Sequence, residues 1–230
     1  MASNNAYGPQ IANGGLVCHL DANNAKSYPG AGTKWYDLSG KGNHFDLING
    51  PTFSTDSNGV KHITFDGGND YGNCDRNAGG ADFPVAAEAR TVEAWFTKNN
   101  DSSSNAHKGI FGWGASDYED AYFLEHNYNQ AFLYCYGSAD LGPTGPVFTD
   151  NKFYHIAATY DGVISKLWLN GALLTSETRT LSTVDSDVPT IAHDGGYNSG
   201  YIDMVRVYTR VLTRAELMQN FNAHRARFGL

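Results

Sequence analysis

Phe153–Leu174 reads FYHIAATYDGVISKLWLNGALL. Aromatic and β-branched residues run from Phe153 to Tyr160 and stop at Asp161-Gly162. Ser165 to Leu169 alternates and stops at Asn170-Gly171, and Ala172 to Thr175 leads out. Asp-Gly and Asn-Gly suit hairpins because tight turns place residues at positive φ, which Gly and Asn tolerate. The stretch therefore predicts three antiparallel strands in a meander, with one face for a core and one for water or a second layer. A second sheet has to come from the rest of the chain.

Candidate strands are plentiful on both sides. Leu16–Leu20, Phe45–Ile48, His62–Phe65, Gly109–Trp113, Ala121–Glu125, Ala131–Tyr136, Thr190–Ala192 and Tyr201–Tyr208 are short strand-like runs between turn residues. Thr91–Lys98 alternates, with Val92, Ala94 and Phe96 on one face and Glu93 and Trp95 on the other. Asn127-Tyr128-Asn129 is a further hairpin signal, and Pro84–Ala89 suggests one short helical turn. One long helix is expected, over 213–228. Thr213 and Glu216 have capping-box spacing, Leu217, Phe221 and Phe228 form a stripe, and Gly229 follows. Residues 1–14 are polar and aperiodic, an arm ahead of a single domain over 15–230. The arm has too little apolar surface to order alone; Tyr7, Pro9 and Ile11 are its anchors for a partner.

Composition narrows the function classes. Of 230 residues, 41% are hydrophobic and 13% aromatic, enough for a buried core, and the formal net charge is −8. The 16 basic residues are scattered, which argues against a nucleic-acid surface. No apolar run approaches the ~20 residues of a membrane span. The first residues lack the basic and apolar regions of a signal peptide, so the reading expects no standard secretion route. Cys18, Cys74 and Cys135 are an odd count without metal-site spacing and are expected to be buried and free.

Five stretches in order carry a resemblance: WYDLSGKGNHFDL (35–47), FDGGNDY (65–71), TVEAWF (91–96), YHIAATYDG with KLWLNG (154–171), and GYIDMVRVYTRVLTRAEL (200–217). They resemble laminin-G-like jelly rolls of the concanavalin A-like lectin/glucanase superfamily. The resemblance implies an all-β fold, a two-sheet antiparallel jelly-roll sandwich with a short C-terminal helix. GGLVCHLDANNAKSYPGAGTKWYDLSG is similar to a version found in structural proteins of tailed bacteriophages. That likeness implies a non-enzymatic virion surface protein, a decoration or fibre-associated protein assembled in the host cytoplasm. Its expected partners are other virion proteins or copies of itself, held through the arm, and host glycans. The alternatives are a free-standing extracellular lectin and, third, a glycan hydrolase, because fold does not fix function.

Three constellations bear on these alternatives. A glucanase needs two carboxylates on one face of a strand, about 5 Å apart in a retaining enzyme. The nearest acidic cluster, Asp117, Glu119, Asp120 and Glu125, lacks the third acid of an E-x-D-x-E pattern because Ala121 stands there, and it reads as a solvated rim. Asp37, Ser39 and Asn43 offer oxygens of the kind calcium takes, although Lys41 breaks an EF-hand pattern. The resemblance adds a structural Ca2+ between this loop and the last strand, hence a site of Asp37, Asn43 and Asp203. Sugar rings stack on aromatic faces while amides and carboxylates bind hydroxyls. Trp113, Tyr118, Asn127, Tyr128, Asn129, Tyr197 and Asn198, in or beside loops, are therefore the candidate ligand-binding residues, with Tyr122, Asp117 and Asp194 beside them.

Overall fold

The computed structural model describes residues 10–76, 82–99, 107–115, 117 and 119–230. In chain order the strands are β1 (Leu16–Asp21), β2 (Lys34–Trp35), β3 (Phe45–Ile48), β4 (Thr52–Thr55), β5 (Lys61–Asp66), β6 (Tyr71–Cys74), β7 (Arg90–Phe96), β8 (Lys108–Gly114) and β9 (Ala121–Asn127). Then come β10 (Gln130–Tyr134), β11 (Leu141–Thr144), β12 (Tyr154–Tyr160), β13 (Ile164–Leu169), β14 (Ala172–Thr178), β15 (Thr190–Ile191), β16 (His193–Asp194), β17 (Gly196–Tyr197), β18 (Ser199–Tyr208) and the helix α1 (Arg214–His224). Two antiparallel eight-stranded sheets form the expected sandwich. Sheet A runs β14-β13-β12-β7-β18-β5-β4, with β1 also on β18, and sheet B runs β11-β10-β9-β8-β15-β6-β3-β2. The hairpin β16–β17 is a separate two-stranded sheet.

The opening meander is β12–β13–β14, at the edge of sheet A. Asn170 (φ 50°) and Gly171 (φ 76°) make its second turn, the left-handed pair that a right-twisted hairpin favours. Asp161 Oδ1 accepts from the Val163 and Ile164 amides and fixes the first turn. Between β9 and β10, Tyr128 (φ 51°) and Asn129 (φ 58°) form a two-residue loop of the same hand.

Alternation sends one side of each sheet into a shared core. Val92, Ala94 and Phe96 of β7, Ile156 and Ala158 of β12 and Val205 and Val207 of β18 meet Phe111, Trp113, Tyr122, Leu124 and Leu133 from sheet B. Cys18, Cys74 and Cys135 are free and buried.

Trp95 and Glu93 face the other way, where α1 covers them. The Trp95 ring stacks on Phe221 (centroids 5.6 Å) and Phe228 (4.5 Å). Beneath the helix Arg206 Nη1 donates to Glu93 Oε1 at 2.6 Å, and His155 Nε2 lies 3.2 Å from Glu93 Oε2. Asn220, on the buried side of α1, donates to Glu93 Oε1 (2.9 Å) and the Tyr208 hydroxyl (3.0 Å). The helix therefore buries a mixed face because the sheet beneath it carries charge. At its start, Glu216 N donates to Thr213 Oγ1 (3.3 Å) and Thr213 N to Glu216 Oε2 (2.8 Å), the expected capping box.

Several expectations need correction. The helix ends at His224 rather than near 228, and Phe228 packs from the turns that follow. Pro84–Ala89 is no helical turn: Ala86 (φ 45°) bridges to Thr183. The short strands β2, β4, β6, β11, β16 and β17 carry too few alternating apolar residues to stand out in sequence. The arm reads as ordering against a partner, yet its described part is docked on its own domain. Ala12 is buried with its N–H donating to Asn220 Oδ1 (2.8 Å), Gln219 Nε2 donates to the Gln10 carbonyl (2.9 Å), and Arg210 Nε to the Gly14 carbonyl (2.6 Å). Tyr7 and Pro9 lie outside the described residues.

Candidate functional site

The outward face of sheet B holds the candidate site. In β9, Tyr122 and Leu124 point inward, so Phe123, Glu125 and Asn127 point outward. The register sets Glu125 between Gly109 of β8 and Phe132 of β10, and Phe123 between Gly112 and Tyr134. The glycines decide what happens next. A Cβ on Gly109 would lie 2.5 Å from the Asp194 nitrogen and the His193 carbonyl carbon, so only glycine lets the β16–β17 hairpin settle on β8. A Cβ on Gly112 would meet the Phe123 ring at 2.3 Å, and its absence lets that ring lie flat across the strand.

The hairpin delivers Asp194 to Glu125. Glu125 is fully buried and Asp194 is 7% exposed. Their carboxyls lie within hydrogen-bonding reach of one another. Neither Glu125 Oε1 nor Asp194 Oδ2 has an N–H or O–H donor from the rest of the described chain. On the other side His107 Nδ1 approaches Glu125 Oε2 at 2.7 Å, and Asn127 Nδ2 lies 3.2 Å from His107 Nε2. Burial, then the neighbouring Asp194, pushes the Glu125 carboxyl well above the ordinary carboxylate range. Burial likewise raises Asp194 and Asp140 and lowers His107. Two such acids side by side hold one proton between them more easily than none.

Aromatic rings flank this cluster. His107 packs on Tyr134 (centroids 4.3 Å) and Phe132 (5.1 Å), and Tyr134 on Tyr136 (4.4 Å). Across the hairpin, Tyr197 stacks on His193 at 4.5 Å, and both rings neighbour Tyr71. A cavity of about 270 Å3 opens beside them, lined by Gly114, Phe123, Asp187, Val188, Thr190, His193 and Asp194. Ring faces next to carboxyl oxygens are what a sugar's C–H faces and hydroxyls require.

The sequence-derived candidates divide. Trp113 is core, its Nε1 donating to the Pro84 carbonyl (2.8 Å). Asn198 is fully buried, its Oδ1 3.2 Å from His126 Nε2. Inward alternation along β8 corrects the first reading, and burial of the link between β17 and β18 corrects the second. Asn127 joins the site through His107, Tyr197 through His193, and Tyr128 is 53% exposed at the hairpin tip. Asn129 shapes that tip with its positive φ, and its carbonyl accepts from Phe148 N (2.7 Å). Tyr118 lies outside the described residues. Glu119 and Asp120 accept from Ser138 and Ser182 hydroxyls and do not join Glu125.

Sequence reasoning missed His107, Phe132, Tyr134 and Asp140. The available signal was the alternation of β9 and β10, which puts an acid among outward aromatics opposite glycines.

The residues proposed for calcium do not fit a cation. Asp37 Oδ1 accepts from the His19 and Ser39 amides, and Oδ2 from the Ser39 hydroxyl and the Gly42 and Asn43 amides. Asn43 Nδ2 donates to the Val17 carbonyl, and Arg76 Nη1 lies 3.3 Å from its Oδ1. Asp203 is buried between His62 Nδ1 (2.6 Å) and the Ile63 amide (3.2 Å). Calcium asks for surrounding oxygens, whereas these oxygens face donors. Among the described residues no group of three or more His, Cys, Asp or Glu is placed to hold a metal ion. No described helix is long and apolar enough to cross a membrane.

Comparison with known proteins agrees with the sandwich. The binding domain of Paraclostridial Mosquitocidal Protein 1 superposes with a TM-score of 0.72 at 14% identity, over 91% of this chain and 52% of that one. Trypanosoma rangeli sialidase, in complex with the inhibitor DANA, gives 0.67 at 18% identity over 96% of this chain and 34% of that one. The chain thus spans about half and about a third of their lengths. Domain 4 of AbnA, an extracellular arabinanase from Geobacillus stearothermophilus in complex with arabinotriose, gives 0.64 at 17% identity over 88% and 96%. No curated protein matches by sequence. The laminin G form of the concanavalin A-like lectin/glucanases superfamily matches residues 66–218. On that match, over more than half its length, the chain belongs to the concanavalin A-like lectin/glucanase superfamily.

Proposed function

We propose that the chain is a non-catalytic, lectin-like surface module that holds glycans on the outward face of sheet B. The observation carrying this reading is the aromatic row of Phe132, Tyr134 and Tyr136, in register with Glu125 and with Phe123, on the face where Phe123 and Asp194 line an open cavity. The solved arabinotriose complex of a domain with this architecture supports it by analogy. A glycan array with the isolated protein tests it: at least one glycan class binds, and Tyr134→Ala, a half-buried ring on an edge-side strand, weakens binding about tenfold or more. An array blank for the folded protein overturns it.

The module's proposed setting is the surface of a phage particle, supported by the likeness of its opening stretch to virion structural proteins. Its proposed contacts there are copies of itself or other particle proteins, through residues 1–9. Purified particles containing the chain at stoichiometric copy number, and failure of a chain starting at Gly14 to incorporate, are the expected outcomes. A free-standing extracellular lectin is the alternative if the chain is absent from particles. The third reading, a glycan hydrolase, draws on the Glu125–Asp194 pair, since a carboxyl held protonated is what a general acid needs. Release of reducing ends from a bound glycan, lost in Glu125→Gln, would replace the non-catalytic reading.

A further inference from the structure

The cavity on the outward face of sheet B has an aromatic floor, polar walls and a definite size. We infer that it is a subsite for one sugar ring laid flat on Phe123, so that this face reads a single unit of a glycan rather than a run of chain. The inference rests on the glycan-binding reading above.

Three observations carry it. The first is the floor. The Phe123 ring lies over Gly112, where a Cβ would come within 2.3 Å of it, and Phe123 lines the cavity. Among the described residues no aromatic ring stacks on Phe123. Tyr134, its cross-strand neighbour, stands between His107 (centroids 4.3 Å) and Tyr136 (4.4 Å), so it meets a ligand by its edge and hydroxyl. A free aromatic face carries the negative π cloud on which the C–H side of a sugar packs.

The second is the chemistry of the walls. His193 is half-buried, and burial lowers its imidazole, which therefore carries one N–H and one bare nitrogen. Neither nitrogen is hydrogen-bonded to a described residue. Asp187 is exposed in the link between β14 and β15, with no hydrogen-bond or ion-pair partner among the described residues. Thr190 Oγ1 donates to the His193 carbonyl (2.6 Å) and keeps its lone pairs. Donors and acceptors set around an apolar floor match the hydroxyls on the rim of a sugar ring. The third observation is size. The cavity's 270 Å3 is the space of roughly nine waters, enough for one ring and too little for two.

The test is calorimetric titration of the full chain with methyl glycosides of glucose, galactose, mannose, N-acetylglucosamine and arabinose. Each is run beside the matching disaccharide and pentasaccharide. At least one methyl glycoside is expected to bind, with its pentasaccharide no more than about tenfold tighter. In NMR its ring protons shift upfield on binding, as protons over an aromatic face do, and the shift is lost in Phe123→Leu. Asp187→Ala, in an exposed segment, weakens the same glycoside about tenfold. Melting transitions check both variants for folding. Pentasaccharides that all bind more than about tenfold tighter than their methyl glycosides overturn the single-unit subsite and leave glycan binding standing. So does a positive array with no methyl glycoside bound. Affinity unmoved by Asp187→Ala, or an upfield shift that persists in folded Phe123→Leu, also overturns it. A blank array removes the underlying reading as well.

Discussion

Sheet A and sheet B each turn one face away from the shared core, and the two faces treat buried charge in opposite ways. Under α1, Glu93 meets Arg206 at 2.6 Å and His155 at 3.2 Å, and Asn220 fills a remaining acceptor site. Burial alone would raise the Glu93 carboxyl, but Arg206 and then His155 outweigh it and hold it at about 2. On sheet B, Glu125 is as deeply buried but faces another acid, and its carboxyl is pushed up instead. The first face is neutralised within the chain and roofed by a helix. The second sets Glu125 against Asp194, which lines a cavity. Balanced charge marks structure here, and unbalanced charge marks a place for something else.

Breaking the balanced face has the largest expected effect. Arg206→Met strands Glu93 in a buried site and should cost about 3–5 kcal/mol of unfolding free energy. Adding Glu93→Gln should recover most of it. Urea titrations of the single and double variants decide this, and simple additivity would mean that the pair is not coupled.

The contrast sharpens with pH. Glu93, depressed to about 2, contributes stability that is present above the ordinary Glu range and lost as pH falls toward 2. His19 and, at the end of α1, His224 are lowered to about 3 chiefly by burial. They stay neutral in the fold, so protonation of the unfolded chain erodes stability as pH drops from about 6.5 toward 3. Glu125 works in reverse: its raised carboxyl contributes stability below about 4.3 that is lost as pH rises. At pH 7 Glu125→Gln should therefore raise the urea midpoint and Glu93→Gln lower it. Shifts of the same sign would erase the distinction between the faces.

Smaller effects follow. Thr213→Ala removes the cap of α1 and should cost about 0.5–2 kcal/mol, read from thermal melts. Calcium should do nothing. An ion bound at a hundredfold excess over Kd would add about 2.7 kcal/mol, but Asp37 already spends both oxygens on five donors. An unchanged melting midpoint with and without chelator is the expected result, and a rise in calcium would restore the metal reading of Asp37, Asn43 and Asp203.

The sandwich was legible in the sequence because long strands announce themselves by alternation and by turn dipeptides. Residues 153–174 and the Thr213–Glu216 box are where local chemistry and global fold agree. The site was legible only in part. Glu125 could be read as an acid in a strand, but its partner is 69 positions later in a hairpin whose seat depends on Gly109. Nothing in the residues around Asp194 points to β9. Trp113 misled because it stands at the end of a strand whose inward face it joins, and Asn198 because a polar residue between two strands is here buried against His126. Asp37 looked like a ligand because the oxygens that cap a loop are the oxygens that bind calcium.

Tyr128 carries a consequence of its own. It sits at φ 51°, a left-handed conformation that a bulky residue adopts only at a cost of roughly 1–2 kcal/mol, and its ring is 53% exposed. Asn or Gly would hold the same turn more comfortably. The hairpin thus gives up stability to keep a ring at its apex, next to Asn127 and the His107 it contacts. Tyr128→Gly should then melt higher while losing grip on whatever the ring meets, a trade between robustness and recognition set by a single backbone angle.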